Sequence, residues 1–251
     1  MSARAVSVSF GAVRACRDID LDAAAGVITG LIGPNGSGKS TLLNALTGMV
    51  PATGAVSLDG REIPLGRPAA IRRTGFVRMH QTPHNYAELS CLDNVCLSML
   101  DPAGRSVVAG VFCRRHTLAH ERKRWAAAEA ALVRVGLAHL AEAPAGALTY
   151  GQSRLLELAR SLAGEPAVLL MDEPSAGLNA AETVHLATLL ESVRHDELVM
   201  VLVDHKVDFI DRLCERIVVL DQGFVIADGS PADVWAEQSV VDAYLGVSLG
   251  D

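Results

Sequence analysis

Residues 33–41 read Gly33-Pro34-Asn35-Gly36-Ser37-Gly38-Lys39-Ser40-Thr41 and fill the pattern G-x-x-x-x-G-K-[ST], directly after an apolar stretch, residues 27–32, that reads as a strand. Few nine-residue stretches restrict a chain so strongly. The three glycines let the backbone turn tightly and bring its N–H groups around an anion, while residues 41–46 start a helix whose positive end faces the same point. Lys39 adds a point charge, and the Ser40 hydroxyl is a ligand for Mg²⁺. Because strand precedes and helix follows, the spacing predicts a cradle for the β- and γ-phosphates of a nucleoside triphosphate rather than a glycine-rich turn with no ligand.

The rest of the composition excludes several alternatives. A chain of 251 residues can bury a substantial apolar interior as one large domain or as a core with a smaller subdomain. Lys plus Arg is 22 against 29 for Asp plus Glu, a net charge of −7, which argues against nucleic acid as a main partner. The basic stretch from Arg114-Arg115 to Arg122-Lys123-Arg124 has helical spacing and reads as a solvated helix face. Cysteines 16, 91, 96, 113 and 214 are odd in number, scattered and free of C-x-x-C spacing, so neither a disulfide framework nor a zinc cluster is indicated and a reducing cytoplasm fits. His116 and His120 stand at i and i+4 with only Glu121 beside them, and read as surface histidines. The longest apolar runs, residues 168–171 and 198–203, fall far short of the ~18–20 needed to span a bilayer. They are buried strands, and their alternation with amphipathic helical stretches predicts a largely parallel sheet covered on both faces. Residues 1–13 lack a basic start followed by an apolar core, so no signal peptide is expected.

Along the chain, strands are expected over residues 5–10 and 18–21, around a turn at Gly11, and after the loop over 56–60 and 75–78. From about 82 to 163 the pattern turns helical, over 92–97, 121–136 and 148–163. An α/β core then resumes with a strand from 167, a helix over 180–194, a strand over 198–203 and a final strand over 217–220. Gly229-Ser230-Pro231 starts a C-terminal helix, with Ser at the cap and Pro at the first position.

Residues 168–172 form an apolar strand ending in Asp172-Glu173, where an α/β sheet places its chemistry. Asp172 can reach Mg²⁺, directly or through water. Glu173, its neighbour on a strand, should face the other way and polarise the attacking water. Thr149 and Gln152 have capping-box spacing at the start of a helix, and Gly151 leaves the backbone bare at its positive end. That helix end is an anion site with no phosphate of its own chain assigned to it.

Phosphate loop, Gln81 after a strand, the segment Leu148-Thr149-Tyr150-Gly151-Gln152, Asp172-Glu173, the loop Ser175-Ala176-Gly177-Leu178-Asn179, and His205 after a strand occur in the order of the ABC-type ATP-binding subunits, which the chain resembles over its full length. The resemblance implies an α/β fold: a P-loop NTPase core of residues 1–81 and 164–251 with a mostly parallel sheet, an antiparallel β part on the adenine side, and an inserted helical subdomain, 82–163, carrying the signature segment. It implies ATP and Mg²⁺ as ligands, with Ser40, Gln81 and Asp172 toward the metal, Gln81 sensing the attacking water, Glu173 as base, His205 on the γ-phosphate and Phe10 stacked on adenine. Thr149, Tyr150, Gly151 and Gln152 would close over ATP bound to a second subunit. The usual L-S-G-G-Q is altered here, with Thr149 for Ser and Tyr150 for the first Gly. The form with Tyr resembles subunits of branched-chain amino acid and urea importers, as do residues 100–136 and the ending Ala243-Tyr244-Leu245-Gly246.

The implied function is an ATPase subunit on the cytoplasmic face of the inner or plasma membrane. It pairs with a second ATP-binding subunit, as a homo- or heterodimer, and drives separate membrane permease subunits that import branched-chain amino acids, urea or related amides. The alternatives are an ATPase of lipid or lipopolysaccharide export and a soluble ABC ATPase without transport. Residues 82–89, mixed aromatic, apolar and acidic, are the expected docking segment for a permease.

Overall fold

Two sheets built around one helix carry the phosphate loop. In this computed structural model, which describes residues 1–99 and 114–245, β1 (Ser2–Phe10) and β2 (Val13–Asp22) form an antiparallel hairpin. β4 (Thr53–Leu58) and β5 (Arg61–Ile63) extend it to a four-stranded antiparallel sheet in the order β2-β1-β4-β5. The larger sheet is ordered β10-β9-β3-β8-β7-β6, from β6 (Phe76–Met79), β7 (Val168–Asp172), β8 (Val199–Val203), β3 (Ile28–Ile32), β9 (Arg216–Asp221) and β10 (Phe224–Gly229). Its strands run parallel except for the β9–β10 hairpin. Every residue of β3, β7 and β8 is buried, as the continuous apolar runs demand of strands covered on both faces.

Helix α1 (Lys39–Leu46) joins Leu42, Leu43 and Leu46 to a core shared with Val6, Ile19 and Leu21 of the small sheet and Leu31, Leu170 and Val201 of the large one. Each such leucine contributes roughly 1.5–3 kcal/mol by leaving water. In register, Asp172 pairs with Val203 and Ile32 with Val219, so β3, β7 and β8 end at one edge. The chain therefore releases Gly33, Glu173 and Asp204 there.

The chain divides into two compact units, Met1–Gln81, Ala167–Ala176 and Thr183–Asp251 in one, and Thr82–Pro166 with Gly177–Glu182 in the other. Within the second, α3 (Cys91–Ser98), α4 (Arg114–Arg134) and α5 (Tyr150–Leu162) pack on one another, with Val95, Ala128, Leu132, Leu156 and Ala159 buried. Short 3₁₀ turns at Ala138–Leu140 and Ala145–Ala147 connect α4 to α5. Buried Asn94 holds the segment before α3 in place: its Oδ1 accepts from Tyr86 N, and its Nδ2 donates to the carbonyls of Tyr86, Leu89 and Ser90.

Several elements exceed the sequence reading. β1 and β2 are longer than expected because they carry bulges, with Ala5 and Asp18 both at φ 48°, which break the two-residue alternation. Side chains satisfy the displaced amides, Asp20 Oδ1 for Ala5 N and Ser7 Oγ for Asp18 N, each at 2.8 Å. Strands β5 and β10 and helices α2 (Pro68–Arg73) and α7 (Val207–Leu213) were not expected. The expected helix over 180–194 is α6 (Ala180–Val193). The capped C-terminal start is α8 (Pro231–Ala236), where Ser230 Oγ accepts from Asp233 N, and α9 (Gln238–Leu245) follows it.

On α4, Arg122 and Lys123 are exposed. Residues 100–113, Cys113 among them, Gly246 and the side chains of Arg114, Arg115, His116, His120 and Leu245 lie outside the described residues. The four described cysteines are buried and unpaired. Among the described residues, no cluster of three or more His, Cys, Asp or Glu could hold a metal, and no helix is long and apolar enough to cross a membrane.

Candidate functional site

At the end of β3, Gly33 takes φ 142°, and a Cβ there would lie 1.9 Å from the Leu220 carbonyl oxygen of β9. Gly38, the cap of α1, takes φ 108°, and its Cβ would stand 2.4 Å from the Ala15 carbonyl oxygen of β2. Both glycines are thus required twice, by dihedral and by close approach of a neighbouring strand. Gly36, at φ 82°, meets nothing and needs only the dihedral.

Lys39 is buried, and its ammonium donates to the carbonyls of Gly33 and Pro34 at 2.8 Å each and to Ser37 Oγ at 3.4 Å. Burial pulls its pKa below the usual lysine value, and the nearby carboxylates of Glu173 and Asp172 pull the other way. Asn35 is exposed at the loop's tip. Thr41 follows Ser40 in the first turn of α1.

Ser40 Oγ donates to Asp172 Oδ1 at 3.2 Å, and Arg78 donates to Asp172 Oδ2 at 2.6 Å and also to Asn44 Oδ1. Arg78 therefore holds one carboxylate oxygen and leaves the other turned to Ser40. Two hard oxygens side by side suit Mg²⁺, which takes one or two protein oxygens and fills its remaining positions with phosphate and water. The carbonyl oxygen of Gln81 is a third donor of the same chemical kind.

Glu173 differs from the strand-alternation expectation in its cause. The strand ends at Asp172, and Glu173 takes φ 48°, a left-handed conformation that costs about 1–3 kcal/mol in a residue with a side chain. Its N–H is held by the Val203 carbonyl at 2.8 Å, which keeps the strained turn in place. The turn delivers the carboxylate to two partners: Gln81 Nε2 at 2.7 Å from Oε2 and His205 Nε2 at 2.7 Å from Oε1. Gln81, Glu173 and His205 are thus brought together.

Asp204, missed in the sequence reading, anchors this group. Buried, it accepts from Ser175 Oγ (2.8 Å), His205 N (2.8 Å) and Lys206 N (3.1 Å) on Oδ1, and from Ser175 N (3.1 Å) on Oδ2. Its signal was present in the sequence, an acid ending an apolar strand, the same pattern that flags Asp172. Arg78, also missed, is a charge inside a four-residue strand.

In the second unit, Thr149 caps α5. Its Oγ1 accepts from Gln152 N at 3.3 Å, and Gln152 Oε1 accepts from Thr149 N at 2.9 Å, closing the capping box. Gly151 is buried rather than bare, and a Cβ there would sit 2.4 Å from Glu182 Oε1. Tyr150 lies beside Gly177, where a Cβ would be 2.7 Å from the ring. Phe10 ends β1 with its side chain half exposed, at 51%.

A strand-loop-helix phosphate cradle with a paired acid and a strained glutamate beyond it defines a P-loop nucleotide hydrolase. The family model described as "ABC transporter" matches residues 16–176. The high-affinity branched-chain amino acid transport ATP-binding protein BraF of Pseudomonas aeruginosa is 35% identical over 244 residues, covering 96% of this chain and 95% of that protein. LivG of Escherichia coli K12, named for the same transport, is 32% identical over 253 residues, covering 98% and 97%. The solved ADP conformation of MJ1267, an ATP-binding cassette of an ABC transporter, superposes with a TM-score of 0.84 at 29% identity, covering 98% of each chain. The chain belongs to the ABC transporter family, and it is an ATPase with that family's fold.

Proposed function

We propose that this ATPase powers import of branched-chain amino acids, or of urea or a related amide, through separate membrane permease subunits while bound peripherally at the cytoplasmic face of the membrane. The observation that carries the hydrolytic part is the Glu173 carboxylate, 2.7 Å from both Gln81 Nε2 and His205 Nε2. Two partners on two oxygens fix its orientation, so Glu173 serves as the base that takes the proton of the attacking water. Lys39 and the loop N–H groups hold the β- and γ-phosphates, and Phe10 stacks on adenine. Ser40 and Asp172, together with the Gln81 side chain, would hold Mg²⁺, which would supply charge neutralisation at those phosphates.

The capped start of α5, Thr149-Tyr150-Gly151-Gln152, serves ATP bound to a second ATP-binding subunit, which makes a head-to-tail dimer the working unit. The cargo assignment draws on BraF and LivG, both named for branched-chain amino acid transport and similar over nearly their whole length. Proteoliposomes containing the chain, ATP and the permease subunits that co-purify with it should take up radiolabelled leucine or urea when a solute-binding protein for that cargo is added. ATP-dependent movement of lipid without such uptake would instead support the export reading, and hydrolysis with no permease association the soluble one.

A further inference from the structure

Tyr244, on α9, touches the phosphate loop from 211 residues away in sequence: its hydroxyl accepts a hydrogen bond from the Gly33 N–H at 3.0 Å. The ring is set by its neighbours. It stands edge-on to Trp235 of α8, with centroids 6.1 Å apart and planes at 64°, and Trp235 Nε1 donates to Asp211 Oδ1 of α7 at 2.7 Å. Burial pushes the phenol's pKa up while the Gly33 N–H pulls it down. A phenol in this setting stays protonated at neutral pH and accepts through its oxygen lone pairs.

Gly33 is therefore held at both backbone groups, its N–H by Tyr244 and its carbonyl by Lys39 Nζ at 2.8 Å. It cannot yield toward β9, where the Leu220 carbonyl already occupies the place of a side chain. The orientation of the Gly33 carbonyl sets where the Lys39 ammonium rests, and that ammonium is the charge the phosphates meet. We infer that Tyr244 is a positioning residue for nucleotide binding: α8 and α9 form a strap that fixes the first residue of the loop and, through it, Lys39.

The inference rests on the loop being the ATP cradle, and the test separates the two. Tyr244→Phe keeps the ring against Trp235 and removes only the acceptor. Calorimetric titration with a non-hydrolysable ATP analogue and Mg²⁺ should show Kd raised about three- to tenfold, the range of one net hydrogen bond. KM should rise by the same factor with kcat changing less than twofold. If the unmodified protein binds no nucleotide, the cradle reading falls and the strap with it. If it binds and Tyr244→Phe binds equally well, the strap alone is overturned, even where the variant melts at a lower temperature. Hydrogen exchange by NMR gives a check without a variant: in the unmodified protein the Gly33 amide should be protected. Exchange at the rate of a free amide would overturn the strap.

Discussion

Replacing Asp204 by Asn removes a charge and little volume, yet it should damage both stability and turnover. An Asn can keep its oxygen where Oδ1 now accepts from Ser175 Oγ, His205 N and Lys206 N. Its NH₂ must then face the Ser175 N–H, a buried donor against a donor, where Oδ2 accepts at 3.1 Å. Losing one hydrogen bond to a charged group and leaving a buried amide without an acceptor costs about 2–4 kcal/mol. In a chain of this size a loss of ~3 kcal/mol lowers the melting temperature by roughly 6–12 °C. The clash at the Ser175 N–H displaces the anchor that Ser175 shares with His205, and His205 contacts Glu173, so turnover should also fall, about tenfold. Thermal melting by circular dichroism and steady-state phosphate release measure the two effects. A melting temperature within about 1 °C of the unmodified protein, with normal turnover, would refute the anchoring role.

Lys39→Ala should weaken nucleotide binding itself, since the charge leaves the cradle; unchanged affinity by calorimetric titration would count against Lys39. Mg-ATP should bring Glu173→Gln protein together as a dimer on size-exclusion chromatography, and a persistent monomer would point to a heterodimeric partner or to a wrong role for Thr149 and Gly151. Tyr86 is exposed beside the Asn94 clamp, with the Arg160 guanidinium 5.6 Å from its ring centroid. Replacing Tyr86 and Leu89 by Ala should abolish cargo uptake while leaving the isolated subunit's hydrolysis near normal; normal uptake, or hydrolysis lost along with it, would place permease docking elsewhere.

The phosphate loop was legible because its glycines, lysine and serine are each fixed by a local requirement, and local requirements survive in sequence. The hairpins were less so. Asp59-Gly60 carries the favoured dipeptide for a tight turn and takes φ 50° and 75°, so β5 could have been read. Gln222-Gly223 makes a similar turn at φ 47° and 84° with Gln in place of Asn or Asp, and β10 was missed. Glu173 shows the deeper limit. Its importance follows from its place after an apolar strand, but its direction depends on a left-handed turn held by Val203 of another strand, which no spacing reports. Arg78 and Tyr244 are the same case, since their partners Asp172 and Gly33 are 94 and 211 residues away.

The hydrolytic role of Glu173 is tested most directly by single-turnover hydrolysis with Glu173→Gln, run beside equilibrium ATP binding by the same protein. Amide for carboxylate removes the base and leaves the cradle of Lys39 and Ser40 intact. Binding should stay within about twofold and the rate of phosphate release should fall roughly 10²- to 10⁴-fold. Near-normal release by that variant would contradict the assignment of Glu173 as the base.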